Sequence, residues 1–166
     1  QKRQEALEYF AETKDKSALK HIIKAYCEGY TNELDTLSKI DTDWMKQKQV
    51  RTLASAFLTI LNTTYPDIFN YNKIQRIIEF LGIMGDERAV PVFIKTISRK
   101  QYSFDSTKVK GIKQTARQSI EKCGTRATKQ LIIALENADD DLKECIIQIF
   151  GNIKDSSTLP ILVKFA

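Results

Sequence analysis

Apolar residues recur along most of this chain at intervals of three and four, the period of a helix that buries one stripe. The stripe is plain in Ile74, Ile77, Ile78 and Leu81, in Val50, Leu53, Ala54, Phe57, Leu58 and Leu61, and in Val109, Ile112, Ala116, Ile120 and Cys123. The breaks between stripes are short and polar. Three prolines and six glycines are too few to build a linker between two independent cores. The pattern therefore predicts an all-α chain running as one domain over 1–166.

The breaks themselves repeat. The block Ile77-Ile78-Glu79-Phe80-Leu81-Gly82-Ile83-Met84-Gly85-Asp86, followed by Ala89, Pro91 and Val92, returns 69 positions later as Ile146-Ile147-Gln148-Ile149-Phe150-Gly151 with Asp155, Pro160 and Ile161. Fainter copies place Leu7, Phe10, Asp15, Leu19 and Ile22 in the same frame, and Gly124, Ala127, Leu131 and Leu135. Gly85 stands where a helix ends in the left-handed conformation, and Asp86 and Asp155 stand where a side chain caps the next helix. Pro91 and Pro160 fall near the start of the second helix, where the missing N–H costs little. Each unit thus reads as two antiparallel helices and a tight turn, with units at about 2–28, 72–99, 108–137 and 140–166. A further unit, 44–70, has a clear first stripe and no matching second helix, so it is expected to be degenerate. A helix pair of this size cannot bury its own stripe, so neighbouring pairs are expected to stack.

The run Leu81-Gly82-Ile83-Met84-Gly85-Asp86-Glu87-Arg88-Ala89-Val90-Pro91-Val92 resembles the HEAT-repeat family, and within it the lyase-type HEAT-like repeats. The run from Phe150 to Leu162 resembles it as well, with Lys154 in place of the glycine and Ser156-Ser157-Thr158 in place of charged and small residues. The segment 32–72 is the part the resemblance explains least. What the resemblance implies is an α-solenoid, a right-handed superhelix of stacked pairs, whose relatives mostly bind proteins and in a minority bind nucleic acid or carry catalysis. The HEAT-like DNA glycosylases and a lyase-like or chaperone role are among the implications.

Little in the sequence points to catalysis. There is one histidine, His21, and no Cys-x-x-Cys pair, which leaves zinc without ligands and a nucleophile without a base. The repeated His-Glu pairs of HEAT-type iron hydroxylases are missing. Asp139-Asp140-Asp141 lacks the glycine and distal glutamate of a calcium loop, and Asp141 with Glu144 has the spacing of a capping box. The expectation is a protein that is not an enzyme and holds no cofactor or metal.

Cys27, Cys123 and Cys145 are odd in number, far apart and set among apolar residues, so buried thiols and a cytoplasmic location are expected rather than a disulfide framework. No apolar run approaches the roughly 20 residues needed to cross a bilayer. Gln1 at the start and a helical pattern running into Ala166 at the end read as cuts through a longer protein.

Charge changes the picture most. Residues 1–87 hold 12 basic and 13 acidic side chains, net −1; residues 88–129 hold 11 and 2, net +9; residues 130–166 hold 3 and 6, net −3, which together give the chain its +5. On a helix from about 108 to 122, Lys110, Lys113 and Arg117 fall at i, i+3 and i+7, opposite the apolar stripe. Arg99, Lys100 and Lys108 flank a longer connection that carries Tyr102 and Phe104. A basic face of this kind is compatible with simple solvation, with an acidic protein segment and with a nucleic-acid backbone; the aromatics fit stacking on a base or packing on the next repeat. The expected partner is an acidic protein bound through Arg99, Lys100, Tyr102, Lys108, Lys110, Lys113 and Arg117, with nucleic acid as the alternative.

Overall fold

The computed structural model describes residues 2–31, 34–63, 70–99 and 106–165, apart from the side chains of Arg3, Ser106 and Phe165. Among these residues the chain is helical and holds no strand. The helices are α1 (Lys2–Thr13), α2 (Leu19–Cys27), α3 (Asp35–Ile40), α4 (Lys48–Thr63), α5 (Tyr71–Met84), α6 (Val90–Ser98), α7 (Ser106–Cys123), α8 (Thr128–Glu136), α9 (Asp140–Ile153) and α10 (Leu159–Phe165). No described helix is long and apolar enough to cross a membrane.

The helices form two compact units, 1–65 with 72–77 and 66–71 with 78–166. The division falls inside α5, whose stripe serves two cores: Ile74 and Ile77 belong to the first, Ile78, Phe80 and Leu81 to the second.

In the first unit α1 packs on α3 and α2 on α4. Leu19, Ile22, Ile23 and Tyr26 of α2 are buried, as is the stripe of α4, with Val50, Ala54 and Phe57 fully or almost fully covered. The only tryptophan, Trp44, is 3% exposed in the turn before α4. Arg76 of α5 closes the end of α2, donating from Nη1 to the carbonyls of Tyr26 (3.3 Å) and Thr31 (3.0 Å), with its guanidinium 5.0 Å from the centre of the Tyr26 ring. A cation at a helix C-terminus suits the negative end of the dipole.

Among its described residues, the stretch expected as a degenerate unit, 44–70, holds the 3₁₀ turn Trp44–Lys46 and α4, and the α-helix before them is the short α3. Residues 64–69, the end of that stretch, lie outside the described residues. The connection from α3 to α4 uses a turn met elsewhere in the chain. Asp15, Asp41, Asp86 and Asp155 each accept, at Oδ1, the backbone N–H two residues on, from Ser17 (2.9 Å), Asp43 (3.0 Å), Arg88 (3.2 Å) and Ser157 (3.0 Å). Each of their carbonyls also accepts the N–H three residues on, from Ala18, Trp44, Ala89 and Thr158. All four aspartates close a turn in this way; at Asp15, Asp86 and Asp155 the turn opens a 3₁₀ helix directly, whereas at Asp41 it precedes one at Trp44–Lys46, so the aspartates anticipated at 86 and 155 have counterparts at 15 and 41.

Just before the turn, Gly85 has φ of 57°, as its position predicts, and Lys14 and Lys154 take the same left-handed conformation at 50° and 56°. A side chain there costs roughly 1–2 kcal/mol, so the capping aspartate that follows helps to hold the turn closed. The pair formed by α7 and α8 differs: Gly124 has φ of 60°, but no aspartate follows it and no side chain caps the turn.

Neighbouring turns are tied. Lys16 reaches Asp41 at 3.1 Å in the first unit, and the Thr128 hydroxyl donates to Asp155 Oδ2 at 2.7 Å in the second. These bonds hold the carboxyls of Asp15, Asp41 and Asp155 below their ordinary value of 3.8, chiefly through the Ser17 side chain, the Asp43 N–H and the Thr128 hydroxyl respectively. A carboxyl depressed in the folded state contributes stability that is present above its unfolded value and is lost as pH falls through its folded one. The urea midpoint should therefore fall as pH drops below about 4. It should fall less steeply in Asp41→Asn/Asp155→Asn, since asparagine caps as well but does not titrate. Parallel acid limbs would show that these carboxylates are not linked to folding.

In the second unit α6 lies against α7 and α8, and α9 lies against α7 and α8. Helices in the same place within their pair thus meet, α6 with α8 and α7 with α9. Phe80, Phe93, Ile112, Ile120, Leu131 and Phe150 make the centre of this core, each at 1% exposure or less. α5 and α7 approach closely at Gly82, and Ser119 on α7, 1% exposed, donates from Oγ to the Ile78 carbonyl at 3.1 Å.

Candidate functional site

The stripe on α7 is as the sequence predicts on its inner side, where Ile112, Ala116, Ile120 and Cys123 are buried. Its basic side does not simply face solvent. Lys110 is exposed, whereas Lys113 and Arg117 are half-buried, and all three border a hollow of about 380 Å³. The hollow is closed by Ile97 and Ser98 at the end of α6, by Gln114, and by Asp139, Asp141, Leu142 and Cys145 at the start of α9. It exists because α9 packs along α7 and carries its first turn past the end of α6.

Arg117 is committed as much to structure as to the hollow. Its Nε donates to Glu121 Oε1 (3.2 Å) and its Nη1 to Gln148 Oε1 (2.9 Å), while Asn152 Nδ2 donates to the same Glu121 oxygen (2.7 Å). Gln148 in turn donates to Glu144 at 3.1 Å. This polar ladder fastens α7 to α9 and fixes the guanidinium at the rim. Among the described residues no carboxylate forms an ion pair with Lys110 or Lys113.

The opposite wall is acidic. Asp139, not Asp141, caps α9, accepting the Leu142 N–H at Oδ1 (3.0 Å), so the expected capping box of Asp141 and Glu144 does not form. The reason is register: the helix begins two residues earlier than the box requires, and Asp141 is left exposed at the lip of the hollow in the first turn. Asp140 pairs instead with Lys143 at 3.3 Å.

Of the other expected contact residues, Lys108 is half-buried, its ammonium 5.9 Å from the centre of the Tyr71 ring, and Arg99 is half-buried just beyond α6; neither borders the hollow. Lys100 and Tyr102, like Phe104, lie outside the described residues. The structure thus unites Lys110, Lys113 and Arg117 and adds Ile97, Asp141, Leu142 and Cys145, which the sequence does not single out as partners. The triple aspartate was a visible signal, but its spacing spoke of capping alone.

All three cysteines are free thiols, with Cys27 and Cys123 buried and Cys145 half-buried at the hollow. Burial pushes the thiols of Cys27 and Cys123 up to about 12 and about 11. Burial also raises that of Cys145, against the opposing pull of Arg117 and Lys113. A raised thiol is a poor nucleophile at neutral pH. His21 is exposed on α2, and the described residues include no cluster of three or more His, Cys, Asp or Glu side chains able to hold a metal ion. The hollow thus brings together hydrogen-bond acceptors, two lysines beside Arg117, and the apolar side chains of Ile97 and Leu142. No family model, curated protein or solved structure matches the chain.

Proposed function

We propose that this chain is a non-catalytic interaction scaffold of HEAT-like helical repeats that binds an acidic protein segment through the basic side of α7. The observation that carries this reading is the convergence of Lys110 and Lys113, unpaired with any described carboxylate, beside Arg117 on one concave surface. An ammonium left without a partner on a concave surface attracts carboxylates, and low-dielectric walls sharpen that field. The like-on-like packing of α6 with α8 and α7 with α9 supports a solenoid order of the pairs, as does the turn shared by Asp15, Asp41, Asp86 and Asp155.

A protein segment is favoured over nucleic acid by the acidic wall. Duplex DNA presents a phosphate charge about every 1.7 Å along its axis, and a backbone so dense would meet Asp139 and Asp141 as well as the lysines. A peptide can place its carboxylates against α7 alone.

The test is Lys110→Glu/Lys113→Glu, which spares Arg117 and its ladder. The helical circular dichroism should be unchanged, and stability should move by no more than about 0.5 kcal/mol, as for surface substitutions generally. Binding of a fluorescein-labelled glutamate-rich dodecapeptide, followed by anisotropy at low salt, should weaken by about tenfold or more. Equal affinity in the variant removes α7 as the binding face. Tighter, salt-dependent binding of a labelled DNA duplex than of the peptide would replace this reading with nucleic-acid recognition.

A further inference from the structure

The hollow is not uniformly charged, and its asymmetry narrows what it takes. Its cationic lining, Lys110, Lys113 and Arg117, comes from successive turns of α7; its acidic lining, Asp139 and Asp141, comes from the start of α9; and its apolar lining is Ile97, Leu142 and the Cys145 thiol. We infer that the groove selects an acidic segment carrying one apolar side chain, which seats on Ile97, Leu142 and Cys145 while flanking carboxylates meet Lys110 and Lys113. This rests on the acidic-partner reading and adds the anchor that gives it specificity.

Charge complementarity and size commit the occupant. A hollow of about 380 Å³ lies near the lower end of the about 300–1,000 Å³ typical of ligand pockets, which suits a side chain and its backbone rather than a folded domain. Ile97 and Cys145 are half-buried and offer apolar surface to a ligand, with the buried Leu142 behind them. A continuous polyanion gains nothing from that apolar surface and is repelled by Asp141, and a purely apolar segment leaves the lysines unanswered. An extended peptide satisfies each wall, since its backbone N–H groups can donate to the Asp141 carboxylate while its acidic side chains face α7.

The experiment uses the whole chain and two fluorescein-labelled peptides, Gly-Glu-Asp-Leu-Asp-Glu-Gly and its counterpart with serine for leucine. Burial of a leucine side chain predicts that the first binds about tenfold or more tightly than the second. Ile97→Gln should erase that difference and leave the serine peptide's affinity unchanged, which also shows that the variant is folded; should Ile97→Gln fail to fold, Cys145→Asn makes the same test. Equal binding of the two peptides to the wild-type chain overturns the anchor. If both still weaken in Lys110→Glu/Lys113→Glu, the acidic-partner reading survives that failure. Absence of binding by either peptide up to roughly 1 mM overturns both.

Discussion

Phe93→Ala is expected to destabilise the second unit by about 3–5 kcal/mol, the range for truncating a fully buried phenylalanine. Phe93 is 0% exposed and sits on α6, the helix that touches α7, α8 and α9. Two effects add. The ring's transfer from water is lost, and the space it leaves lies in a close-packed core, so collapse into it is incomplete. Against a typical domain's margin of about 5–15 kcal/mol, a loss of that size removes from about a fifth to the whole of it. Urea unfolding followed by far-ultraviolet circular dichroism measures it. A loss under about 1.5 kcal/mol, within the range of a volume-conserving swap, would mean that α6 is not central to this core.

The second large effect is expected at Gly82. A Cβ built there would stand 2.8 Å from the Cα and 2.5 Å from the Cβ of Ser119. Helix propensity by itself favours alanine over glycine by about 1 kcal/mol, so a position with open space would gain from the change. Here the obstacle is partly backbone, which cannot rotate away, and α5 must move from α7 at the cost of the buried Ser119 to Ile78 bond. Overpacking of this kind costs about 1–3 kcal/mol, and the steric term wins. Gly82→Ala should lower the urea midpoint, and Gly82→Ala/Ser119→Gly should recover only part of the loss, because the Ser119 Cα remains. A control is at hand in Gly151, whose Cβ would meet nothing within 4 Å; there alanine should be neutral or mildly stabilising.

How much of this was legible beforehand depended on the length of each signal. α5 with α6, and α9 with α10, could be read because each has two or more turns of apolar stripe and a capping aspartate in its turn. α3 could not, since six residues hold too few turns to display a period, and Asp41 is preceded by isoleucine rather than glycine. Lys14 and Lys154 adopt a conformation that lysine does not advertise; only the repeat frame around them pointed to it. The unit expected from 140 begins where α9 does, but its cap falls at Asp139 rather than Asp141, because three consecutive aspartates offer three caps and local spacing alone does not choose among them. Charge on α7 was visible, but not its surroundings: Asp141 lies 28 residues beyond Lys113 in the chain, and the packing of α9 on α7 is what makes them walls of one hollow. The same packing recruits Arg117 into a ladder with Glu121 and Gln148, which no helical wheel of α7 displays.

The placement of Trp44 gives the molecule a private optical signal. Because no other indole exists in the chain and this one is sealed in the first unit, light absorbed by tryptophan is re-emitted from one location only, and the second unit is dark at that wavelength. Emission and ellipticity recorded along the same denaturant series are therefore two clocks, one local and one shared, and their agreement or divergence reads out directly whether the two units melt together or in turn.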